Sequence, residues 1–386
     1  MAHRLIADPT RAHTSHGPGR RRLRLHVDQI VAGATPGDAV TESALLIRAA
    51  LRDAVKSELF AYHLDGRLGD IVGWTGRYPI ARDRRRHDVI VYHMSISQDG
   101  LSDFVTRRHE KLMLVYHNIT PSSFFESLDP TFASYLQAAR DDLPRLLARA
   151  GAVVADSEFN AAELRALGRE DVRVVPPPLN LDRLLQTAPD PVFEQVLAER
   201  GASAIVLYVG QLLPHKRPDL LLGAHQLLTA NHAPDALLVL AGAARNTRYR
   251  NTLHAYRHEL ALDNVWITGE LTDAQLSALF HHADVFVTTS EHEGFCVPLV
   301  EAMSFDVPVV ARDFGAVRET AGDAALILPA DSGARELSEA LHRVLADRDL
   351  RVGLVERGRQ RRELYRPERT LPLMLSAILD FVKQDF

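Results

Sequence analysis

The stretch DVFVTTSEHEGFCVPLVEAM (residues 284–303) passes from an apolar run through a polar turn into a helical pattern. The run DVFVTTS has the composition of a buried parallel strand, and Pro298 is predicted as the first residue of the helix. In an open α/β sheet, ligands bind at the carboxyl ends of strands and against helix N-termini. The turn EHEGFC is therefore the first candidate for a binding site.

The residue types in this turn indicate what it binds. Gly294 allows the backbone to approach a ligand closely. Glu293 and Glu301 are eight residues apart, so both carboxylates can face one ligand and accept hydrogen bonds from neighbouring hydroxyls. The backbone amides expected to face an anion are those of Phe295, Cys296 and Val297. The pattern favours a ligand with hydroxyl groups at both ends and phosphate between them.

Strands and helices alternate along the chain in two rounds, which predicts an α/β fold of two Rossmann-like βα domains. The prolines at 176–178 mark the boundary between the rounds. In the first round, Thr35 is predicted as a helix N-cap, with Pro36 as the first helical residue. The predicted organisation is a disordered basic tail (1–22), a first Rossmann-like domain (23–178), a second Rossmann-like domain (179–364) and a helix that returns to the first domain (365–386).

Composition excludes several classes of protein. The 386 residues are 46% hydrophobic and carry a net charge of −5, which does not indicate a nucleic-acid-binding protein. A single cysteine excludes an internal disulfide and a multi-cysteine zinc site, and residues 1–22 have no apolar core of a secretory signal, so a cytoplasmic location is expected. Basic clusters in the first half indicate either solvated surface or contact with an anionic acceptor or a membrane surface: Arg82 with Arg84–Arg86, and Arg107, Arg108 and Lys111.

The segment EGFCVPLVE (293–301) resembles the E-x7-E motif of the retaining family 4 glycosyltransferases, which have the GT-B fold. The resemblance implies that Glu293 contacts the donor sugar and Glu301 the nucleotide ribose. YVGQLLPHKRPDLLL (208–222) is similar to the family's diphosphate loop, and Lys216 matches its phosphate-binding lysine. The arginine usual in that loop is replaced here by Gln211, which weakens the phosphate site by one charge; whether Arg217 compensates for that charge is left open.

The resemblance extends, more loosely, to other segments. Leu271 lies near the position where the family holds the base, and Gly37 in TPGDAV matches a glycine loop that closes over the donor phosphates. Where many members have a second glycine, this chain has Asp38. His117 occupies the position of an active-site histidine that can hydrogen-bond the donor sugar, with a buried structural histidine as the alternative. His93, similarly placed, is either structural or lines the acceptor site.

The resemblance therefore implies a retaining transferase that moves a hexose-type sugar from a nucleotide diphosphate sugar to an acceptor hydroxyl. It makes residues 179–364 the nucleotide-sugar-binding domain and residues 23–178 the acceptor-side domain. The acceptor is left open among a small molecule, a glycan and a lipid-linked sugar. His117, Glu293 and Lys216 are the predicted catalytic residues, and no cofactor is expected. The alternatives are a nucleotide-sugar 2-epimerase on the same fold and a non-catalytic sugar-nucleotide-binding subunit, to which only Gln211 points.

Metal independence is also expected, because the sequences DRD (347–349) and EHE (291–293) are poor candidates for metal ligands. DRD lies in a polar helical stretch far from the predicted donor loops, and adjacent residues in a turn such as EHE rarely converge on one ion. Lys216 and the dipole of the helix after residue 296 are expected to replace the cation. Cys296 is expected to serve compact packing, with no thiol chemistry.

Overall fold

A computed structural model describes residues 25–79, 87–98, 100–244 and 246–384. The predicted basic tail (1–22) and the cluster Arg82 with Arg84–Arg86 lie outside these described residues. Within the described ranges, no helix combines the length and the apolar character needed to cross a bilayer.

Seven parallel strands of the described chain form the first sheet: β1 (Val27–Ala34), β2 (Leu59–Leu64), β3 (Gly73–Trp74), β4 (Val89–Met94), β5 (Lys111–Tyr116), β6 (Ala152–Ala155) and β7 (Val172–Val174). Their order is β3-β2-β1-β4-β5-β6-β7, so the direction of winding reverses between β1 and β4. Such a switch point opens a crevice at the carboxyl ends of the strands.

Six parallel strands form the second sheet over the described residues: β8 (Ala204–Val209), β9 (Ala236–Ala241), β10 (Val265–Gly269), β11 (Val285–Thr288), β12 (Val309–Arg312) and β13 (Ala325–Leu328). The order β10-β9-β8-β11-β12-β13 places the switch point between β8 and β11. The loops that follow these two neighbouring strands therefore meet at one crevice. They are the β8–α7 loop (residues 210–217) and the β11–α10 loop (residues 289–296).

Helices cover both sheets, as the apolar character of the strands on both faces requires. In the first domain they are α1 (Ala39–Leu51), α2 (Leu101–Thr106), α3 (Pro130–Arg149) and α4 (Glu158–Ala166). After the prolines they are α5 (Leu181–Gln186), α6 (Pro191–Glu199), α7 (Pro218–Asn231), α8 (Thr247–Glu259), α9 (Asp273–His282), α10 (Val297–Ser304), α11 (Val317–Ala321), α12 (Ala334–Ala346), α13 (Arg348–Arg362) and α14 (Pro367–Lys383).

The start of α1 differs from the prediction, which was wrong in placing the N-cap at Thr35. The cap is Asp38, whose carboxylate accepts a hydrogen bond from the Thr41 amide at 2.9 Å. Gly37 has a φ of +77°, a left-handed conformation that an α-helix does not contain, so the helix begins only at Ala39. The capping role explains an acidic residue at position 38.

Helix α14 packs on the first domain although it follows the second domain in the chain. Met374, Ile378 and Phe381 are buried in one cluster with strand residues of β1, β4, β5 and β6. The Lys111 ammonium, on β5, donates to the carbonyl oxygen of Phe381 at 2.6 Å. The apolar face of the first sheet is thus completed by residues that come from the far end of the chain.

Candidate active site

The β11–α10 loop turns sharply into its helix. Cys296 adopts a left-handed conformation (φ +73°) and is followed at once by Val297, the first residue of α10. The prediction that Pro298 begins the helix was therefore one residue late. The Cys296 side chain is buried in the second-domain core, and burial raises the pKa of its thiol, which agrees with a packing role.

Gly294 brings this loop against the first domain. A Cβ atom at this position would lie 2.8 Å from the His117 carbonyl oxygen and 2.9 Å from the Cβ of Asn118. The absence of a side chain therefore permits the two domains to touch here. Behind the loop, Gly315 (φ +58°) permits a close approach within the second domain, because a Cβ there would overlap the carbonyl oxygen of Glu293.

Glu293 and Lys216 form an ion pair, with 2.6 Å between the Oε1 and Nζ atoms. The hydroxyl of Ser290 donates to the same Oε1 at 2.6 Å. The pair joins the β8–α7 loop to the β11–α10 loop, so the predicted phosphate-binding lysine and the predicted sugar-binding carboxylate lie together.

Arg217, next to Lys216 in the chain, is engaged in ion pairs. Its guanidinium pairs with Asp219 at 2.9 Å and with Glu291, and these two partners raise its pKa. Gln211, at the start of the same loop, is exposed. Whether Arg217 compensates for the missing arginine was left open by the sequence; such compensation would require these ion pairs to break. Lys216 is the nearer cation to Glu293.

Glu301 lies on α10 with 16% of its side chain exposed, and its Oε1 is 4.0 Å from the Arg183 guanidinium. Burial raises the pKa of the Glu301 carboxyl to about 7, and nearby Asp273 adds to the rise while Arg183 opposes it. Arg183 also pairs with Asp273 at the start of α9. Leu271, just before α9, packs against the second-domain core. Arg183 had no recognisable signal in the sequence.

His117 follows β5 and is held by its neighbours through both ring nitrogens. Nδ1 lies 2.7 Å from Oδ2 of Asp156, and Nε2 lies 2.9 Å from Nδ1 of His93. His93 in turn contacts the Oε1 atom of Gln29 at 2.9 Å. A hydrogen bond from the imidazole to a donor sugar, as predicted, would therefore require one of these contacts to open.

The orientation of the Gln29 amide determines which ring nitrogen of His93 carries the proton. Its amide nitrogen donates to the Ala44 carbonyl at 2.9 Å, so the amide oxygen faces His93, which must donate through Nε2. His93 is fully buried, and burial, with His117 as a second cause, lowers its pKa well below the usual range. It is thus neutral, and its complete burial favours the structural alternative over a place in the lining of an acceptor site.

Polar side chains that the sequence analysis missed surround His117 and Gly294. Asn118 (φ +77°) donates to Asn160 at 2.7 Å. Among the described residues, several buried polar atoms here have no hydrogen-bond partner: Oδ1 of Asn118, Oδ1 of Asp156 and Nδ2 of Asn160. Asn118 lies in a different segment of the chain from Asp156 and Asn160, so the spacing of residues along the sequence could not show that these side chains meet.

The glycine loop of the first domain lies at the end of β1. The Gly37 amide contacts the Glu42 carboxylate at 3.2 Å, and Asp38 caps α1. Within the described part of the chain, no group of three or more His, Cys, Asp or Glu side chains could hold a metal ion. Asp347 of the DRD sequence caps α13 by accepting from the Leu350 amide at 3.0 Å.

The two parallel sheets, each with its switch-point loops, have the GT-B fold that was predicted. Residues 190–361 match the model of the family Glycosyl transferases group 1. Two solved structures share the fold at low identity. Anabaena Alr3699/HepE in complex with UDP-glucose has a TM-score of 0.73 and 18% identity, covering 92% of this chain and 100% of that one. WaaG, described as a glycosyltransferase involved in lipopolysaccharide biosynthesis, has a TM-score of 0.68 and 16% identity over 90% and 99% of the two chains.

Curated relatives are similar over part of their length. A GDP-mannose-dependent alpha-mannosyltransferase of Mycolicibacterium smegmatis is 33% identical over 155 residues, 40% of this chain and 37% of that protein. A D-inositol 3-phosphate glycosyltransferase of Gordonia bronchialis is 26% identical over 235 residues, 58% of this chain and 51% of that one. The chain thus spans 37% and 51% of the length of these two relatives. An O-antigen chain mannosyltransferase B of Escherichia coli is 27% identical over 65% of each chain.

Proposed function

We propose that this protein is a retaining glycosyltransferase that moves a hexose-type sugar from a nucleotide diphosphate sugar to an acceptor hydroxyl without a metal ion. The observation that carries the proposal is the Lys216–Glu293 ion pair (2.6 Å), which lies where the loops after β8 and β11 meet. The group 1 match over residues 190–361 and the names of the relatives support it.

In this proposal the donor nucleotide binds to the second domain. Glu301 accepts hydrogen bonds from the ribose hydroxyls, Lys216 meets the diphosphate, and Glu293 accepts from the sugar hydroxyls. Because Lys216 and Glu293 hold each other in the structure, a diphosphate competes with Glu293 for the ammonium group. Donor binding therefore releases the Glu293 carboxylate as it engages Lys216.

The transfer step needs positioning and charge more than a nucleophile from the protein. The acceptor oxygen attacks the anomeric carbon on the face from which the diphosphate leaves. The carbon–oxygen bond to the phosphate breaks, the bond to the acceptor forms, and the departing diphosphate oxygen takes the acceptor proton. Lys216 and the N-terminus of α10 stabilise the negative charge that grows on the diphosphate. His117 borders the sugar from the first domain.

Lys216→Ala tests this proposal. Donors that bind are first found by thermal shift with GDP-mannose and UDP-glucose among the nucleotide sugars, because a ligand stabilises the fold by mass action. Transfer by the wild type is then measured in EDTA, where the rate should stay within about twofold. Lys216→Ala should lower kcat by more than about tenfold and weaken nucleoside diphosphate binding less, since the charge on the diphosphate grows in the transition state.

Lys383→Ala is the matched control, because Lys383 is an exposed lysine in the last turn of α14. Full activity of Lys216→Ala in EDTA would contradict the role of Lys216. The group 1 match does not favour the epimerase alternative. A new sugar nucleotide formed from donor alone would nevertheless establish it, and an inactive purified wild-type chain that binds donor would favour the non-catalytic subunit.

A further inference from the structure

Three successive carbonyl groups of the β11–α10 loop are held by hydrogen bonds, and the middle one is held by the other domain. The Ala316 amide donates to the Glu293 carbonyl at 2.9 Å, and the Thr320 hydroxyl donates to the Phe295 carbonyl at 2.6 Å. The carbonyl of Gly294 accepts instead from the Ser157 hydroxyl, at 2.8 Å. Ser157 precedes α4 in the first domain and is 1% exposed.

A second contact links the same two elements. The carboxylate of Glu319, on α11 of the second domain, accepts from the backbone amides of Glu158 and Phe159 at 2.8 and 3.3 Å. These amides belong to the first turn of α4, where backbone donors have no partner within the helix and a negative charge is favourable. The first domain therefore receives part of its helix capping from the second.

The two contacts converge on one loop. Helix α11 and its N-cap residue Ala316 hold the carbonyls of Phe295 and Glu293, and α11 also binds α4 through Glu319. Ser157 holds the Gly294 carbonyl directly. Separation of the domains would remove the middle support of the loop that carries Glu293. The flanking supports would remain, because both lie within the second domain.

We propose that Ser157 and Glu319 are positioning residues, which together form a contact between the two domains. This contact fixes the β11–α10 loop in the geometry that transfer requires, and it does so only when the cleft between the domains is closed. This inference rests on the proposed function. A nucleotide binds to the second domain whether the cleft is open or closed, whereas transfer requires the loop carbonyls, Glu293 and His117 in one arrangement. The contact therefore acts on turnover through the position of Glu293.

Substitutions of Ser157 can test its two hydrogen bonds independently. Its hydroxyl oxygen also accepts from the Asn160 amide at 3.2 Å and so caps α4. Ser157→Asp keeps a capping acceptor but cannot donate to Gly294, whereas Ser157→Thr keeps both functions. For the second contact, Glu319→Ala removes the carboxylate, and Glu368→Ala, at an exposed position in α14, is the matched control.

The experiment measures compaction, affinity and turnover on the same preparations of the full chain. Small-angle scattering with saturating GDP or UDP should give a larger radius of gyration for Ser157→Asp and Glu319→Ala than for the wild type, Ser157→Thr and Glu368→Ala. The affinity of the two variants for the diphosphate should stay within about threefold, while kcat falls by at least about tenfold. Thermal unfolding near the wild-type temperature verifies that both variants are folded.

Two results would overturn the inference. One is unchanged compaction and turnover in both variants, and the other is a loss of diphosphate affinity as large as the loss of kcat. The scattering and affinity measurements need no acceptor, so they test the contact even if the wild type transfers no sugar. An inactive wild type would therefore contradict the proposed function alone, while the radius of gyration decides on the contact.

Discussion

Glu301 is a carboxyl group whose charge changes near neutral pH. Its pKa is raised to about 7 by burial and by Asp273, in spite of Arg183 at 4.0 Å. Below pH 7 the carboxyl is mostly protonated and makes weaker hydrogen bonds with ribose hydroxyls than the charged form does. The charged form is therefore the one that the proposed ribose contact requires.

We predict that nucleoside diphosphate affinity rises between pH 6 and pH 8 in the wild type because Glu301 ionises. Glu301→Gln should remove that component and weaken binding by about 1–3 kcal/mol, as expected when a hydrogen-bonding partner is lost. Calorimetric titration at several pH values measures both effects. The ligand phosphate also titrates near pH 6, so the difference between wild type and variant is the informative quantity. Parallel pH profiles for the two proteins would remove Glu301 from the ribose site.

At the residue scale, the sequence was informative where residues belong to motifs that resemble those of a known family. The motifs assigned Lys216 and Glu293 to one ligand, and the two form an ion pair at 2.6 Å although 77 residues separate them. The contacts of His117 with Asp156 and His93 were not predictable, because no motif links these residues, which are 39 and 24 residues away in the chain. No periodicity of hydrophobic residues reports on such contacts.

At the scale of elements, the hydrogen-bonded chain at His117 crosses neighbouring strands of the first sheet. Gln29 lies on β1 and His93 on β4, while His117 and Asp156 follow β5 and β6 directly. Parallel pairing brings these strand ends to the same edge. The orientation of His117 therefore depends on the register of four strands.

His117→Ala should lower turnover by about tenfold or more and leave the affinity for a nucleoside diphosphate nearly unchanged, since the proposed nucleotide site lies in the second domain. The same change should destabilise the fold by about 3 kcal/mol, because it leaves the buried Asp156 carboxyl without its partner. Urea unfolding, calorimetric binding and steady-state kinetics measure the three quantities.

The double variant His117→Ala with Asp156→Ala is the control for that prediction. It should recover part of the lost stability, because the unpaired carboxyl is gone, and recover no turnover. Restored turnover in the double variant would assign His117 a structural role only. An equal loss of nucleotide affinity and turnover in the single variant would place His117 outside the sugar site.

Some elements could be predicted and others could not. The long apolar runs that became β4, β5, β8 and β9 were recognised because buried parallel strands are apolar on both faces. The edge strands β3 and β13 were not predicted: β3 has only two residues, and β13 is only half-buried. The start of α1 was misplaced, because Thr35 and Pro36 are favourable at a helix start but Gly37 adopts a left-handed conformation after them.

At the scale of the whole molecule, several buried or half-buried histidines link stability to pH. Burial lowers the pKa of His225 to about 4 and that of His292 to about 4, and it lowers that of His93 well below the usual value. Between pH 6.5 and about 4 the unfolded chain therefore binds protons that the folded protein does not. The free energy of unfolding should fall as the pH falls through this range.

His225→Gln isolates one of these contributions. His225 is 1% exposed and contacts the Asn264 carbonyl at 3.1 Å. It should account for about 2 kcal/mol of the stability lost between pH 7 and pH 5, given about 1.4 kcal/mol for each unit by which the pKa is shifted. Urea unfolding at both pH values should show a smaller loss in the variant. An identical loss in variant and wild type would mean that His225 takes up its proton in the folded state.

Helix α14 has a consequence for the order in which the protein is made. The first sheet is synthesised early, yet the residues that cover its apolar face, Met374, Ile378 and Phe381, are translated after the whole second domain. The second domain can complete its own core on the ribosome while the first still exposes the valines of β4. Until α14 is made, the nascent first domain therefore has only α1 among the described helices, through Ile47 and Leu51, as cover on this apolar face. Cleavage between the domains near 176–178 would leave an amino-terminal fragment that lacks this cover.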